Sequence, residues 1–472
     1  MTPTTADKHP IAGTARVSNR RHMSAARRHD IFGHPRALAY IVFAEAWERF
    51  SFYGMQALLV LYMASYLLVD SNSEQVLGFA GFAALIRTLF GDLSTQAMTA
   101  QIFGIYVGLI YLAPVLGGFL GDRYMGRTRA VMAGAAAMVI GHFLMIFESA
   151  FLIALSLLIV GCGLLKGNLA AQVGALYDAA DQRRDTAFTL YNVAVTAGGT
   201  AAPLVCGTLG ERYGWHWGFG AAGVGMLLGC LVYYSGRHHL PADTPSLSRA
   251  ERAPLAAGDT RKTLAILGLI LVGSLFWTGQ AQVWNTYPLW ISARVDRDLF
   301  DLTVPVTWFQ SVDAAAALLL VPPVLWFWRL QRANQREPSE LAKIAVGFCF
   351  LAAAFFALTL SEWFESAPNT IAMRWLLLFH LLIGAAFLFI GPVMMSLISR
   401  AAPSPINATL VSCYYLAIFL GGFLSGWLGR FYEPLGPASF WLLHSLIALA
   451  GLGAMLAFKA RLQRALVSSE PP

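Results

Sequence analysis

The chain has 472 residues, 57% hydrophobic and 12% charged, with a formal net charge of +7. A soluble domain carries roughly 25% charged residues, so a water-solvated globule of this length is excluded and lipid must cover most of the surface. Lysines and arginines fall mainly in alternate loops between apolar runs, so the basic excess reads as a record of membrane topology and not as a nucleic-acid face.

In chain order, residues 1–36 form a basic segment without an apolar core, which reads as a disordered cytoplasmic tail and not as a cleavable signal. Apolar runs between polar punctuation then predict helices near 37–68, 98–121, 129–148, 151–177, 188–209 and 216–236. The stretch 237–262 is rich in Pro, Ser, Ala and charge and reads as a cytoplasmic linker. A second set follows near 263–292, 304–328, 342–362, 371–399, 406–429 and 438–460, with 461–472 as a cytoplasmic tail. About twelve crossings put both termini on one side of an inner membrane, as the charge asymmetry also requires. The expected fold is an all-α membrane protein of two six-helix bundles, 37–236 and 263–460, that rock about a central site. Cys162, Cys206, Cys230, Cys349 and Cys413 sit in apolar stretches without metal-site spacing and read as inert packing residues.

The loop after the second span, GGFLGDRYMGRTRAV, resembles the cytoplasmic signature of the major facilitator superfamily. Its paired glycines allow close helix approach, and Asp122 can pair with a basic residue such as Arg123 or Arg127 to clamp one gate conformation.

The first span contains EAWERFSFYG, in which Glu45, Glu48 and Arg49 stand at i, i+3 and i+4 on one helical face. The fourth span adds Lys166 within GCGLLKGNLAAQ. Four ionised side chains at membrane depth cost roughly 10 kcal/mol together, and such residues are by default pathway or relay groups. A buried network that only glues helices is the rival reading, and buried ion pairs often add no more stability than apolar residues of equal volume. His142, His380 and His444 lie in apolar runs and read as helix-packing hydrogen bonders. Trp277, Trp284, Trp290 and Trp427 read as interfacial anchors or pocket walls.

EAWERFSFYG closely resembles the first-helix signature of the proton-dependent oligopeptide transporter family, Glu-x-x-Glu-Arg-Phe-x-Tyr-Tyr-Gly, with Phe52 replacing one tyrosine. Tyr111 in IYLAPVLGG, Lys166 in GLLKGN, the run RRDTAFTLYN, GWHWGF, WFQSVD and REPSELAKIAVGF extend the resemblance over residues 37–461. It implies a major facilitator fold, with Glu45, Glu48 and Lys166 in proton coupling. Arg49 and Lys166 would bind the substrate carboxylate beside Tyr53 and Tyr111, with Gln310, Gln282 and Trp284 as further pocket candidates. The implied activity is import of di- and tripeptides by proton symport, with protons as the coupling ion, no other cofactor, no enzymatic step and function as a monomer. A non-peptide anion such as nitrate, or a modified amino acid, is the alternative cargo; a non-transporting receptor or a polytopic enzyme is the rival of a different class.

The chain departs from that family at the groups that usually hold a peptide amino terminus. An asparagine, an asparagine and a glutamate on the fifth, eighth and tenth spans become Thr196, Asp313 and Phe387. Asp313 either restores the lost carboxylate on a neighbouring helix or is protonated or paired away from solute. The usual arginine after the signature is absent, since Met55 and Gln56 follow Gly54, and the seventh span LFWTGQAQVWNTYPLW holds no acid. Gln280, Gln282 and Asn285 are therefore the candidates for closing the outer gate.

Overall fold

The computed structural model describes residues 30–69, 71–178, 181–241 and 258–466. The expected tails at 1–36 and 461–472 and the expected linker therefore lie largely outside the described residues.

In lipid each backbone N–H and C=O must find a partner within the chain, so every apolar run resolves into helix. After a two-rung hairpin, β1 Asp30–Ile31 with β2 His34–Pro35, come α1 Arg36–Leu67, α2 Phe79–Phe90, α3 Thr95–Met125, α4 Arg127–Leu144, α5 Phe151–Ala175, α6 Arg183–Tyr213 and α7 Trp215–Gly236. The second half comprises α8 Asp259–Gln282, α9 Thr286–Arg294, a hairpin of β3 Asp298–Leu299 and β4 Leu302–Thr303, then α10 Trp308–Ala333, α11 Glu340–Phe364, α12 Met373–Ala401, α13 Asn407–Gly429 and α14 Tyr432–Leu466. Among the described residues eleven spans are long and apolar enough to cross a membrane, counting α8 and α9 as one. The 18-residue α4, diluted by Arg127 and Arg129 in its first turn, completes the twelve expected crossings.

Two local features differ from the sequence expectation. The helix α2 occupies what reads as a loop; its 12 residues are too few to cross the hydrocarbon core. The seventh span breaks between α8 and α9, where Asn285 leaves helical geometry. There the Gln282 side chain replaces the lost backbone acceptor, Thr286 N–H donating to Gln282 Oε1 at 3.3 Å.

Each half packs its own core, one around Phe103, Tyr106, Phe151 and Phe219 and the other around Phe348, Phe355, Phe379 and Trp441. The halves meet where α3 lies against α13, α6 against α10 and α1 against α9. A Cβ on Gly104 would fall 2.6 Å from the Gly426 Cα, so α3 and α13 touch backbone to backbone, a contact open only to glycine.

A buried acid braces the second half. Glu362 accepts from Trp290 Nε1 at 2.5 Å and from Arg294 Nη2 at 2.6 Å, tying α11 to α9. Glu362→Ala would leave the Trp290 N–H unpaired and Arg294 with only the Ser366 carbonyl, and is expected to lower stability by about 3 kcal/mol, read as an earlier thermal unfolding transition in detergent. Glu362→Gln, which keeps one acceptor for Trp290, should recover part of the loss.

Candidate functional site

A cavity of about 390 Å³ lies between the halves, within the range of small-molecule sites. Its walls come from α1 (Tyr53, Gln56), α3 (Tyr111), α6 (Thr196), α8 (Trp277, Gln280), α10 (Asp313) and α12 (Phe387), and Trp284 closes it beside Tyr53. Most of the remaining lining is aliphatic, so the few polar groups set its chemistry. The hydrogen bonds that join the halves among the described residues lie at the end away from the described chain ends. Ser311 donates to Thr200 O at 2.7 Å, Trp308 Nε1 to Thr208 Oγ1 at 2.7 Å, and Asn285 Nδ2 to Ala100 O at 3.2 Å.

The main latch at that end is Glu211, a residue that sequence reasoning passed over. Its carboxylate accepts from Val306 N–H at 2.8 Å, Thr307 N–H at 2.9 Å and the Thr307 hydroxyl at 2.7 Å. Of the three expected gate residues, only Asn285 bridges the halves. Gln280 turns to Asp313, and Gln282 is buried against Ser425 O and His444. Gln282 is therefore neither gate nor pocket residue in this conformation. Gln310 is also withdrawn from the cavity: it is 1% exposed, with its amide oriented to donate to the Thr307 carbonyl of its own first turn.

Glu45, Glu48 and Arg49 are all buried on α1. Arg49 forms a two-pronged pair with Glu48, through Nε to Oε2 and through Nη2 to Oε1 at 2.5 Å, while Glu45 Oε1 stands 3.4 Å from the same Nε. Tyr191 reaches the Glu45 carboxylate from α6. Lys166 makes no ion pair among the described residues. Its ammonium sits 4.4 Å from the centre of the Tyr111 ring and 5.9 Å from that of Phe52, a cation–π arrangement. The ion pairs expected between two helices are thus made within α1, by Arg49, and Lys166 takes no part in them. Neither cation lines the cavity: Arg49 stands 5.9 Å from the Tyr53 ring and Lys166 against Tyr111, one aromatic layer behind the wall.

On the opposite wall Asp313 accepts from Gln280 Nε2 at 3.1 Å and faces His380 Nδ1 at 3.5 Å. Thr196 lines the cavity with its hydroxyl donated to Asn192 O at 3.0 Å. Phe387 packs edge-on against Trp277, so the wall is apolar where a glutamate was looked for. Among the expected histidine hydrogen bonders, His444 and His380 find partners, but both ring nitrogens of fully buried His142 find none among the described residues. Where α3 gives way to α4, Arg127 Nε donates to Asp122 at 2.9 Å, whereas Arg123 lies by the rings of Phe119 and Tyr124 and is not part of that pair.

Residues 128–253 and 254–439 match the family model described as the POT family. The chain belongs to the POT family. Among the relatives it is similar to are the uncharacterized transporter YclF of Bacillus subtilis, 27% identical over 96% of this chain and 99% of that protein, and the peptide transporter YePEPT of Yersinia enterocolitica, 26% identical over 84% of this chain and 88% of that protein. A crystal structure of the peptide transporter POT, as a point variant in complex with alafosfalin, superposes with a TM-score of 0.82 at 25% identity, covering 95% of this chain and 99% of that one. The POT family relationship and the two helical halves about a central cavity establish the major facilitator architecture.

Proposed function

We propose that this POT family protein imports di- and tripeptides by proton symport, alternating access at the central cavity between its halves. The observation that carries the reading is the polarity of the cavity. Two cations stand behind hydroxyl-bearing rings on one wall and a carboxylate stands on the other, the pattern that a zwitterion of peptide length requires. Similarity to a named peptide transporter supports it.

In this reading the solute carboxylate competes with Glu48 for Arg49, and Lys166 leaves the Tyr111 ring to join it. Glu48 deprived of its partner is a buried lone charge costing several kcal/mol, so it takes up a proton. The neutralised cluster then allows the halves to close. Glu45 and Tyr191 extend the same proton path, and Asp313 receives the solute ammonium. The pair Asp122–Arg127 clamps the end of α3 to the start of α4, with Arg123 beside it. Both termini lie in the cytoplasm, the protein sits in the inner membrane, and a single chain is sufficient.

One proton crossing 100 mV supplies about 2.3 kcal/mol, enough for roughly fifty-fold accumulation of a neutral solute. Purified protein in liposomes, acid and positive outside, should accumulate dialanine against its gradient. Lys166→Gln should abolish that accumulation. Uptake that ignores both acidification and this substitution would refute the reading.

A further inference from the structure

Behind the cavity wall, α12 and α9 carry two side chains that no transport step above uses. His380 is fully buried, and its Nε2 lies 3.2 Å from the Tyr287 hydroxyl. Its Nδ1 lies 3.5 Å from Asp313 Oδ1, and among the described residues neither of these two atoms has a hydrogen-bond partner. Tyr287 is fully buried too, ringed by Trp290, Phe379 and Trp441.

That enclosure selects one tautomer. Among the described residues the Tyr287 hydroxyl has no polar partner other than His380. Its proton must therefore go to Nε2, because a buried donor left unpaired costs about 1–3 kcal/mol. With Nε2 accepting, the ring proton of a neutral imidazole resides on Nδ1 and is directed at Asp313. Gln280 supplies a second N–H to the other carboxylate oxygen. Both neighbours thus present donors: Gln280 binds one carboxylate oxygen, and the Nδ1 proton faces the other across 3.5 Å.

The amide carries no charge, and an imidazole whose Nε2 accepts from Tyr287 carries none either. Among the described residues no lysine or arginine pairs with Asp313, and no other carboxylate and no lysine, arginine or histidine lines the cavity. The carboxylate is held in place without being neutralised, and the charge it lacks is left for a solute to bring.

We propose that His380, oriented by Tyr287, is the positioning residue that holds Asp313 as an unneutralised anion, and that this assembly makes the cavity select solutes carrying a primary ammonium. The inference rests on the peptide reading above and names what that reading leaves open, the device that replaces the missing acid at Phe387. A cavity this apolar discriminates strongly on such a contact, since an amino-blocked solute leaves the carboxylate buried without its counter-charge.

The test is solute counterflow in liposomes at equal pH on both sides, comparing dialanine with N-acetyl-dialanine and reading the ratio of their half-saturating concentrations. The unmodified protein should favour dialanine, and His380→Leu should reduce that preference by roughly ten-fold, the loss expected for a hydrogen bond to a charged group. His380→Asn places an amide N–H near the Nδ1 position and should restore most of the preference, which a purely space-filling role for the ring would not. Tyr287→Phe releases the tautomer and should reduce the preference by a smaller factor, roughly three-fold. A ratio unchanged in His380→Leu, or an asparagine variant no better than the leucine one, overturns the assignment while leaving peptide transport standing. Should His380→Leu fail to fold, an unchanged ratio in Tyr287→Phe overturns it equally. Failure of the unmodified protein to exchange either compound overturns the peptide reading and this inference with it.

Discussion

Glu48→Gln is expected to abolish uphill accumulation, a loss of roughly fifty-fold, while exchange of solute across the membrane persists. Glutamine keeps the volume of the side chain and offers Arg49 one acceptor oxygen, but it cannot carry a proton. Arg49 is not orphaned by the change, because Glu45 Oε1 remains 3.4 Å from its Nε. The variant should therefore fold and bind, and only the coupling step should disappear. Arg49→Leu is the harsher comparison: it removes the cation from two buried carboxylates at once, and breaking a buried pair in this way costs about 3–5 kcal/mol. Intact gradient-driven accumulation in Glu48→Gln would remove Glu48 from the proton path and throw the role onto Glu45, whose second oxygen has no partner among the described residues.

How far this arrangement could be read in advance depends on the range of each signal. A crossing needs about 20 apolar residues, so the long helices could be located from the chain alone, and charges inside those runs marked Glu45, Glu48, Arg49 and Lys166 as a group. Partner choice was not legible. Adjacent residues on a helix do not face each other, yet the long Arg49 side chain folds back on Glu48 and leaves Lys166 to the Tyr111 ring. Gln310 and Asp313 are three residues apart on α10, but the first sits at the helix entrance, where its amide serves the preceding turn. The second is reached by Gln280 from α8 and His380 from α12. Such meetings are made by tertiary packing, and hydrophobic periodicity carries no trace of them. The break before α9 escaped although Pro288, which has no N–H to give the Trp284 carbonyl, stands three residues beyond it; the repair of the backbone by the Gln282 side chain left no trace in the sequence. Asp313, by contrast, stood out because a carboxylate replaced a neutral group where the resemblance led one to expect asparagine.

Glu211→Ala is expected to release the end of the molecule where α6 meets α10, shifting the closed-to-open equilibrium there by roughly two orders of magnitude. The carboxylate holds three donors, two of them backbone N–H groups at the entrance to α10. Hydrogen bonds to a charged group contribute about 1.5–3 kcal/mol each when dry. This site is only half-buried, so about 3 kcal/mol for the set is a fair discounted figure, and each 1.4 kcal/mol is a factor of ten. Paired spin labels on the facing ends of α6 and α10 should report a longer distance in the variant, and Glu211→Gln, which keeps one acceptor, should fall between. A steric route to the same state exists beside it. Gly207 packs so closely on Thr307 that a Cβ there would lie 1.9 Å from the Thr307 hydroxyl oxygen, so Gly207→Val should wedge the same contact apart. If the two variants populate the same longer distance, the Glu211 contact is the gate that the neutral seventh span cannot supply; if Glu211→Ala leaves the distance unchanged, closure there rests on backbone packing between α3 and α13.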